Sequence, residues 1–181
     1  MCVISLCTRG ALDAAVRRRS TAALCAVSRP CRLSMRYELV PAVDGDRPWL
    51  EQLRRSVYRD LFFATWGSWD EARHLRHCEE CWARGSIYAV EFDGVRVGMM
   101  QLFELPDAVE VGEIQITPAY QNTGIGTRLL RDTIARAHTH GKKVVLSTGL
   151  QNRRAFQLYL RLGFRHTGQT DTHNLLECAP P

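Results

Sequence analysis

The residues whose types and spacing most clearly suggest chemistry are Gln121-Asn122-Thr123-Gly124-Ile125-Gly126, between a strand-like run and a helix-like run. A glycine-bearing turn that opens a helix leaves several backbone N–H groups unpaired and aimed at one point, with the positive end of the helix dipole behind them. Glycine at positions 124 and 126 lets the backbone approach a bulky anion closely. The turn therefore predicts a phosphate-binding cradle, here called the cradle, formed by backbone amides from about Asn122 to Thr127.

The residues after this turn argue against two common nucleotide-binding motifs. Leu129 stands where a dinucleotide fingerprint has its third glycine, and no P-loop Gly-Lys-Ser/Thr follows. A lone G-x-G is also found in ordinary strand-turn-helix connections, so the motif needs further context before it indicates a function.

A second motif follows downstream, where the chain reads Asn152-Arg153-Arg154-Ala155-Phe156-Gln157-Leu158-Tyr159 and then Leu162-Gly163-Phe164. The order of strand, Q-x-x-G-x-G, long helix, buried strand, N-x-x-A-x-x-L-Y and L-G-F resembles the GNAT superfamily of N-acetyltransferases. The resemblance covers about residues 35–178. It implies transfer of an acetyl group from acetyl-CoA to a primary amine by direct attack in a ternary complex, without a metal.

The resemblance also implies how acetyl-CoA is bound. The cradle would hold the pyrophosphate, and the pantetheine arm would run like an extra strand beside the strand that precedes it. Asn152 would hydrogen-bond the pantetheine, a role compatible with capping a helix. The implied contacts are Ile114, Gln115, Ile116, Gln121, Asn122, Thr123, Gly124, Ile125, Gly126, Thr127, Asn152 and Tyr159.

Two residues are the candidates for proton transfer. By the resemblance, Tyr159 reaches the thioester sulfur and protonates the leaving thiolate; the alternative is a core aromatic beside Ala155 and Leu162. Glu113 lies on the strand before the cradle, where an inward carboxylate could take the amine proton directly or through water. The alternative for Glu113 is a solvated strand glutamate.

The assignment of the base to Glu113 rests on strand alternation, which puts it on one face with Val109, Val111 and Gln115. Glu104, at the end of its strand, is a second candidate. Some family members that act on protein N-termini have a glutamate five residues before the asparagine, but Ser147 occupies that place here. This departure favours other acceptors and keeps open a non-catalytic acyl-CoA-binding or regulatory module.

The motif H-x-x-H-C-x-x-C at residues 74–81 suggests a metal site or a redox pair. On one continuous helix these four side chains form a stripe over more than one turn, so they cannot all surround one tetrahedral ion. Two of them could bind a metal with help from elsewhere. We predict no metal site, and expect Leu75, Cys78 and Trp82 to contact the core.

Composition favours one cytoplasmic domain. The 181 residues are 45% hydrophobic, enough for a sizeable core, and no apolar run approaches membrane-spanning length. Seven unevenly spaced cysteines are typical of reduced thiols. The net charge of +5 comes from Arg-rich residues 1–34, so the remainder is nearly neutral and no nucleic-acid partner is expected.

Residues 1–34 are predicted to lie outside the fold, either as an organelle leader or because Met35 is the true start. Residues 35–181 are predicted to form a single GNAT domain. The acceptor is expected to be a small-molecule or peptide amine. Dimerisation is common in the family, so a homodimer is a further expectation, although no stretch identifies an interface.

The predicted fold is α/β (α+β), with a mixed sheet of about seven strands flanked by about four helices. Apolar periodicity and turn signals give the order β-α-α-β-β-β-α-β-α-β-β. The expected helices are residues 46–62, 70–84, 125–140 and 152–161. The clearest hairpin joins residues 86–92 and 96–103 through Asp93-Gly94.

Overall fold

A mixed β-sheet forms the centre of the computed structural model, which describes residues 4–5 and 37–181. The elements in chain order are β1 Ile4–Ser5, β2 Tyr37–Pro41, α1 Arg47–Trp66, α2 Glu71–Arg84, β3 Ile87–Phe92, β4 Val95–Glu104, β5 Ala108–Ile116, α3 Ile125–Thr139, β6 Lys143–Gly149, α4 Arg153–Arg161, β7 Arg165–Gln169 and β8 His173–Cys178.

The sheet has the strand order β2-β3-β4-β5-β6-β8-β7, and β1 pairs with β5 outside this path. The pairing of β5 with β6 is parallel, whereas the other strand pairs are antiparallel. The predicted order of elements and the mixed seven-strand sheet with four helices are confirmed. Helix α1 extends to Trp66, four residues beyond its expected end, before Gly67 ends it in a left-handed conformation.

Local signals account for most of these boundaries. Asp93 and Gly94 both have positive φ, 49° and 75°, as a two-residue type I′ hairpin turn requires. The side chain of Asp70 accepts a hydrogen bond from the backbone N–H of Arg73 and so caps α2.

Two hydrophobic cores lie on opposite faces of the sheet. The larger one packs α3 and α4 against the strands and includes Leu129, Leu130 and Tyr159. The smaller one packs α1 against the other face and includes Leu53, Val57 and Tyr58. The sheet is therefore buried on both sides, and a polar side chain on either face must find a partner inside the protein.

A β-bulge in β5 decides which core each of its residues faces. Gln101 pairs with Glu113, but Leu102 pairs with Val111, so Gly112 is an extra residue without a partner of its own. A side chain at Gly112 would collide with Phe103 and Gln101. Val111 consequently faces the larger core, whereas Glu113 faces α1 and α2.

The prediction that Glu113 shares a face with Val109 and Val111 is therefore wrong, because the bulge reverses the alternation between positions 111 and 113. Glu113 does point inward, and it shares its face with Gln115, whose side chain it contacts.

Within residues 37–181, no helix combines the length and apolarity that crossing a membrane requires. Of the segment predicted to lie outside the fold, only Ile4 and Ser5 are described, and they form β1. The other residues of that segment, and with them its assignment as a leader or a mis-assigned start, lie outside the described residues.

Candidate active site

Helix α2 turns a polar face toward the sheet. Its buried side chains are His74, His77 and Cys81, whereas Leu75 is exposed. The expectation that Leu75 contacts the core is thus wrong. The buried face of α2 is polar because α1 and β5 carry buried polar groups that hydrogen-bond to it.

Glu113 is the centre of these contacts, and its side chain is 1% exposed. The Tyr58 hydroxyl donates to Oε2 over 3.1 Å, the Gln115 amide donates to Oε2 over 3.0 Å, and His77 Nε2 donates to Oε1 over 2.7 Å. Burial by itself would raise the pKa of Glu113, but the hydrogen bond from His77 foremost, together with the charge of Arg54 and the hydrogen bond from Gln115, holds that pKa below its usual value. The carboxylate is therefore ionised and fully engaged by donors.

The contact with Glu113 fixes the tautomer of His77. An ionised carboxylate only accepts hydrogen bonds, so Nε2 of His77 must carry the hydrogen. The other ring nitrogen, Nδ1, has no hydrogen-bond partner among residues 37–181. In the neutral ring, Nδ1 is then a proton acceptor with a free lone pair, in the arrangement known from histidines oriented by a carboxylate.

His77 lines a cleft of about 640 Å³ between the helices α1 and α2 and the loops that follow β6 and β7. Its walls combine aromatic rings with charged groups and the backbone around Asn152. The lining side chains include Arg54, Tyr58, Phe62, Arg73, Arg76, His77, Glu80, Asn152 and Asp171. A cleft of this size and lining is typical of a site for a small molecule or the end of a peptide.

The predicted cradle lies where a glycine turn leads into α3. Gly124 is the N-cap of α3 with φ 93°, and no side chain caps this helix end. A Cβ at Gly124 would point into open space. Gln121 holds the loop by donating from its amide to the Ile116 carbonyl over 2.8 Å, and Asn122 contacts Arg154. The amides at the start of α3 therefore face a space that can admit a phosphate.

Strands β5 and β6 separate next to the cradle. Their pairing ends at Val111 and Leu146, although β5 continues to Ile116 and β6 to Gly149. In the gap, β1 pairs with β5 by placing Ile4 opposite Ile114. This edge of β5 can thus take an extended partner. The hydroxyls of Ser147 and Thr148, on the β6 side of the gap, are buried and have no hydrogen-bond partner among the residues that the structure describes.

Asn152 and Tyr159 lie on α4, on the far side of this gap. The Asn152 side chain caps the helix by accepting from the Ala155 N–H over 3.2 Å, and it also lines the cleft. Tyr159 is fully buried, with its ring edge-on to Phe164. Glu104, the second candidate base, lies instead at the distal end of β4 and pairs with Lys142, so it is not part of this site.

Among the described residues, His77, Cys81 and Glu113 each offer one buried ligand atom, and these three atoms lie within 4.8 Å of one another, close enough to hold a metal ion. Only two of them belong to the 74–81 motif, as helix geometry requires. Burial raises the pKa of the Cys81 thiol, with the Glu113 charge adding to the effect, so Cys81 is held as a thiol.

Sequence reasoning missed Arg54 and Tyr58. Both lie on the buried stripe of α1 with Leu53 and Val57. A charged residue among apolar residues of an amphipathic helix was the available signal, but its partners, in α2 and β5, could not be identified from spacing within α1.

A family model described as acetyltransferase (GNAT) family matches residues 50–164. The chain is similar to an uncharacterized N-acetyltransferase of Methanocaldococcus jannaschii, with 26% identity over 126 residues that cover 59% of this chain and 54% of that protein. It is also similar to the N-alpha-acetyltransferase RimI of Mycobacterium tuberculosis, with 38% identity over 87 residues, 48% of this chain and 51% of that protein. The matches thus span about half the length of these curated relatives.

Among solved structures, the chain resembles the PaiA N-acetyltransferase of Thermoplasma acidophilum in complex with coenzyme A. The TM-score is 0.63 at 18% identity, and the match covers 80% of this chain and 99% of that one. At this identity the likeness establishes a common fold.

Proposed function

Because this chain belongs to the acetyltransferase (GNAT) family, we propose that it transfers an acetyl group from acetyl-CoA to a primary amine that binds in the 640 Å³ cleft. The observation that carries this proposal is that His77, whose Nε2 is bonded to Glu113, lines the same cleft as Asn152. A proton acceptor therefore lies on the side of the site where the amine would enter.

Three features fit acetyl-CoA. The uncapped start of α3 at Gly124 suits a pyrophosphate, and the separated edge of β5 suits an extended pantetheine arm, which would replace β1 there. The buried, unpartnered hydroxyls of Ser147 and Thr148 lie next to this path. Backbone near Ile114 to Ile116 would hold the thioester and polarise its carbonyl without requiring a special side chain.

In this proposal His77 accepts the amine proton and Glu113 positions it. Both oxygens of Glu113 already accept hydrogen bonds, and the carboxylate is buried behind Tyr58 and His77, so direct proton transfer to Glu113 is the less favourable route. A base is needed because neutralising a lysine-type ammonium at pH 7 costs about 4.6 kcal/mol, against about 1 kcal/mol for an α-amine.

Tyr159 is the proposed acid that protonates the departing thiolate. The fully buried phenol is already ordered by its contact with Phe164. A covalent acyl-cysteine is disfavoured, because the thiols beside the cleft, Cys78 and Cys81, both have a pKa raised by burial, to about 11 at Cys78. Direct attack by the amine remains the route that the residues support.

The similarity to a protein named as an N-alpha-acetyltransferase favours an α-amine among the primary amines. Such an amine is also the one that requires the least help from a base. The serine at position 147 argues against a protein N-terminus recognised in the manner of enzymes that carry glutamate there, so a small α-amine is the preferred acceptor.

The competing proposal is a module that binds acetyl-CoA without turnover. Thiol release from acetyl-CoA in the presence of a panel of primary amines tests both. We expect amine-dependent release in the intact chain, and a fall of about 100-fold in kcat for Tyr159→Phe with unchanged acetyl-CoA affinity. Tight binding of acetyl-CoA with no amine-dependent release would instead support the binding module. The matched control is Tyr37→Phe, which removes a hydroxyl that donates to Asp132 outside the cleft.

A further inference from the structure

Arg54 is the one arginine on the buried stripe of α1, and it is 4% exposed. Its guanidinium lies 4.7 Å from the centre of the Tyr58 ring and 5.8 Å from that of Phe62. It lines the 640 Å³ cleft and also an adjoining cavity of about 40 Å³, both of which it shares with His77. A permanent positive charge is therefore held next to the proposed base.

The side chain that accepts a hydrogen bond from Arg54 carries no negative charge. Nη1 donates to Nδ1 of His74 over 2.9 Å. Burial, with the charge of Arg54 itself adding to it, lowers the pKa of His74 to about 4, so the ring is neutral and accepts this bond. His74 thus orients the guanidinium without supplying a negative charge to it.

The other side of the guanidinium is unpaired. Nε is buried without a hydrogen-bond partner, and Nη2 donates to no residue in the part of the chain that the structure describes. No carboxylate of residues 37–181 lies within ion-pair distance of Arg54, and the nearby Glu113 uses both its oxygens for other donors. Buried charges are normally paired, because an unpaired one is strongly unfavourable.

We propose that Arg54 binds a carboxylate of the acceptor, so that the substrate is an amine with an acidic group close to it, such as a free amino acid. The inference rests on the proposed acetyltransferase function. Nε and Nη2 lie on one side of the guanidinium and can donate two parallel hydrogen bonds to a single carboxylate. A cation at this place also favours the neutral amine, the form that attacks the thioester.

The charges of the cleft agree with this substrate class. Three arginines, at positions 54, 73 and 76, line it against two carboxylates, Glu80 and Asp171, so the lining side chains carry a net positive charge. A polyamine would be repelled by these arginines, whereas an amino acid would bring one negative charge to them.

The test is thiol release by the full chain with matched acceptors at saturating acetyl-CoA. The pairs are phenylalanine against phenylalaninamide and O-phosphoethanolamine against ethanolamine, with spermidine as the polycation. We expect kcat/KM to be at least about tenfold higher for phenylalanine than for its amide, and lowest for spermidine. The phosphate pair shows whether any anion suffices; a preference for O-phosphoethanolamine over phenylalanine would overturn the choice of a carboxylate.

The diagnostic variant is Arg54→Met, which removes the charge and keeps an apolar stem. It should raise KM for phenylalanine about 10- to 100-fold and change KM for the amide less than about twofold. Arg54→Lys should raise KM for phenylalanine less than Arg54→Met does, since lysine restores the charge but not the two parallel hydrogen bonds. Arg59→Met removes an exposed arginine from the same helix and should alter neither acceptor. Equal losses for acid and amide would overturn the proposal.

Two further measurements keep the outcome interpretable. Thermal unfolding checks that Arg54→Met is folded, and replacing a buried charge by an apolar residue is often neutral for stability. Calorimetric titration of phenylalanine and its amide into the CoA-loaded chain measures the difference in their binding affinities without turnover. Suppose that no amine is acetylated, but that phenylalanine binds, its amide does not, and the binding requires Arg54: the proposed activity then fails and the carboxylate site stands. Equal binding of phenylalanine and its amide would overturn the carboxylate site.

Discussion

His77 Nε2 donates to Glu113 Oε1 over 2.7 Å, and this bond joins helix α2 to the bulged strand β5 beneath the cleft. The carboxylate is buried and held by three donors, while Nδ1 of the histidine has no hydrogen-bond partner within residues 37–181. Two residues far apart in sequence therefore form one unit, in which, in the proposed function, His77 would meet the amine and Glu113 would set the orientation of His77.

The first prediction concerns this unit. His77→Gln should lower kcat about 100- to 1,000-fold, since general-base catalysis contributes in this range, and Glu113→Gln should lower it less, by about tenfold, because the base is misoriented and not removed. If Glu113 acts through His77, its substitution should have almost no further effect in a His77→Gln background. Additive losses would contradict the arrangement. His166→Gln, which replaces an exposed histidine on β7, is the control.

A second prediction concerns the cradle. Gly124→Glu should weaken acetyl-CoA binding by at least about 100-fold in a calorimetric titration, because a carboxylate would enter the space next to the start of α3 and repel the pyrophosphate. The variant also carries backbone strain, because Gly124 has φ 93°. Gly141→Glu is the matched control: Gly141 has φ 68°, equally open surroundings, and a position just beyond the other end of α3. Equal loss of affinity in both variants would attribute the effect to strain.

A third prediction separates the two roles of Asn152. Asn152→Ala should destabilise the fold by about 1 kcal/mol through loss of the cap on α4, and should also weaken acetyl-CoA binding about tenfold. Asn152→Ser should restore the cap and the stability, but not the affinity. Asp70→Ala removes the corresponding cap of α2 and should change stability alone. Recovery of full affinity in Asn152→Ser would argue that the asparagine acts only as a cap. Urea unfolding measures the stability, and calorimetric titration measures the affinity for acetyl-CoA.

A fourth prediction follows from His74. Its pKa is lowered to about 4 in the fold, so between pH 6.5 and 4 the unfolded chain binds a proton that the folded chain does not. Stability should therefore fall as the pH drops through this window, by up to about 3 kcal/mol from this residue, and be unaffected by it above pH 7.5. His74→Gln keeps an acceptor for Arg54 and should flatten the curve. His140→Gln, at an exposed site, should leave it unchanged.

A fifth prediction concerns β1, which pairs with the segment of β5 that would hold pantetheine. Deleting residues 1–34 should strengthen acetyl-CoA binding, because the pantetheine arm no longer has to displace a strand. The affinity of the deletion variant relative to the full chain measures this competition directly. Unchanged affinity would mean that β1 and acetyl-CoA do not compete.

Most of the fold could be predicted because its signals are local. Apolar periodicity identifies the helices, Asp93-Gly94 specifies a hairpin turn, and Asp70 caps a helix through its own side chain. The cradle belongs to the same class, because a glycine before a helix determines the local backbone that exposes its first amides. Element boundaries differ by a few residues at most, as at the end of α1.

The sequence by itself thus determined the order of elements, the cradle at Gly124 and the cap at Asn152, since each depends on neighbours along the chain. Only the tertiary structure decided which face Glu113 occupies, because that depends on a bulge between β4 and β5. It also decided that Glu113 contacts His77, 36 residues away in sequence. It decided as well that Arg54 is buried with no carboxylate of residues 37–181 within ion-pair distance. Pairing between distant elements is set by packing against the sheet, which no local periodicity encodes.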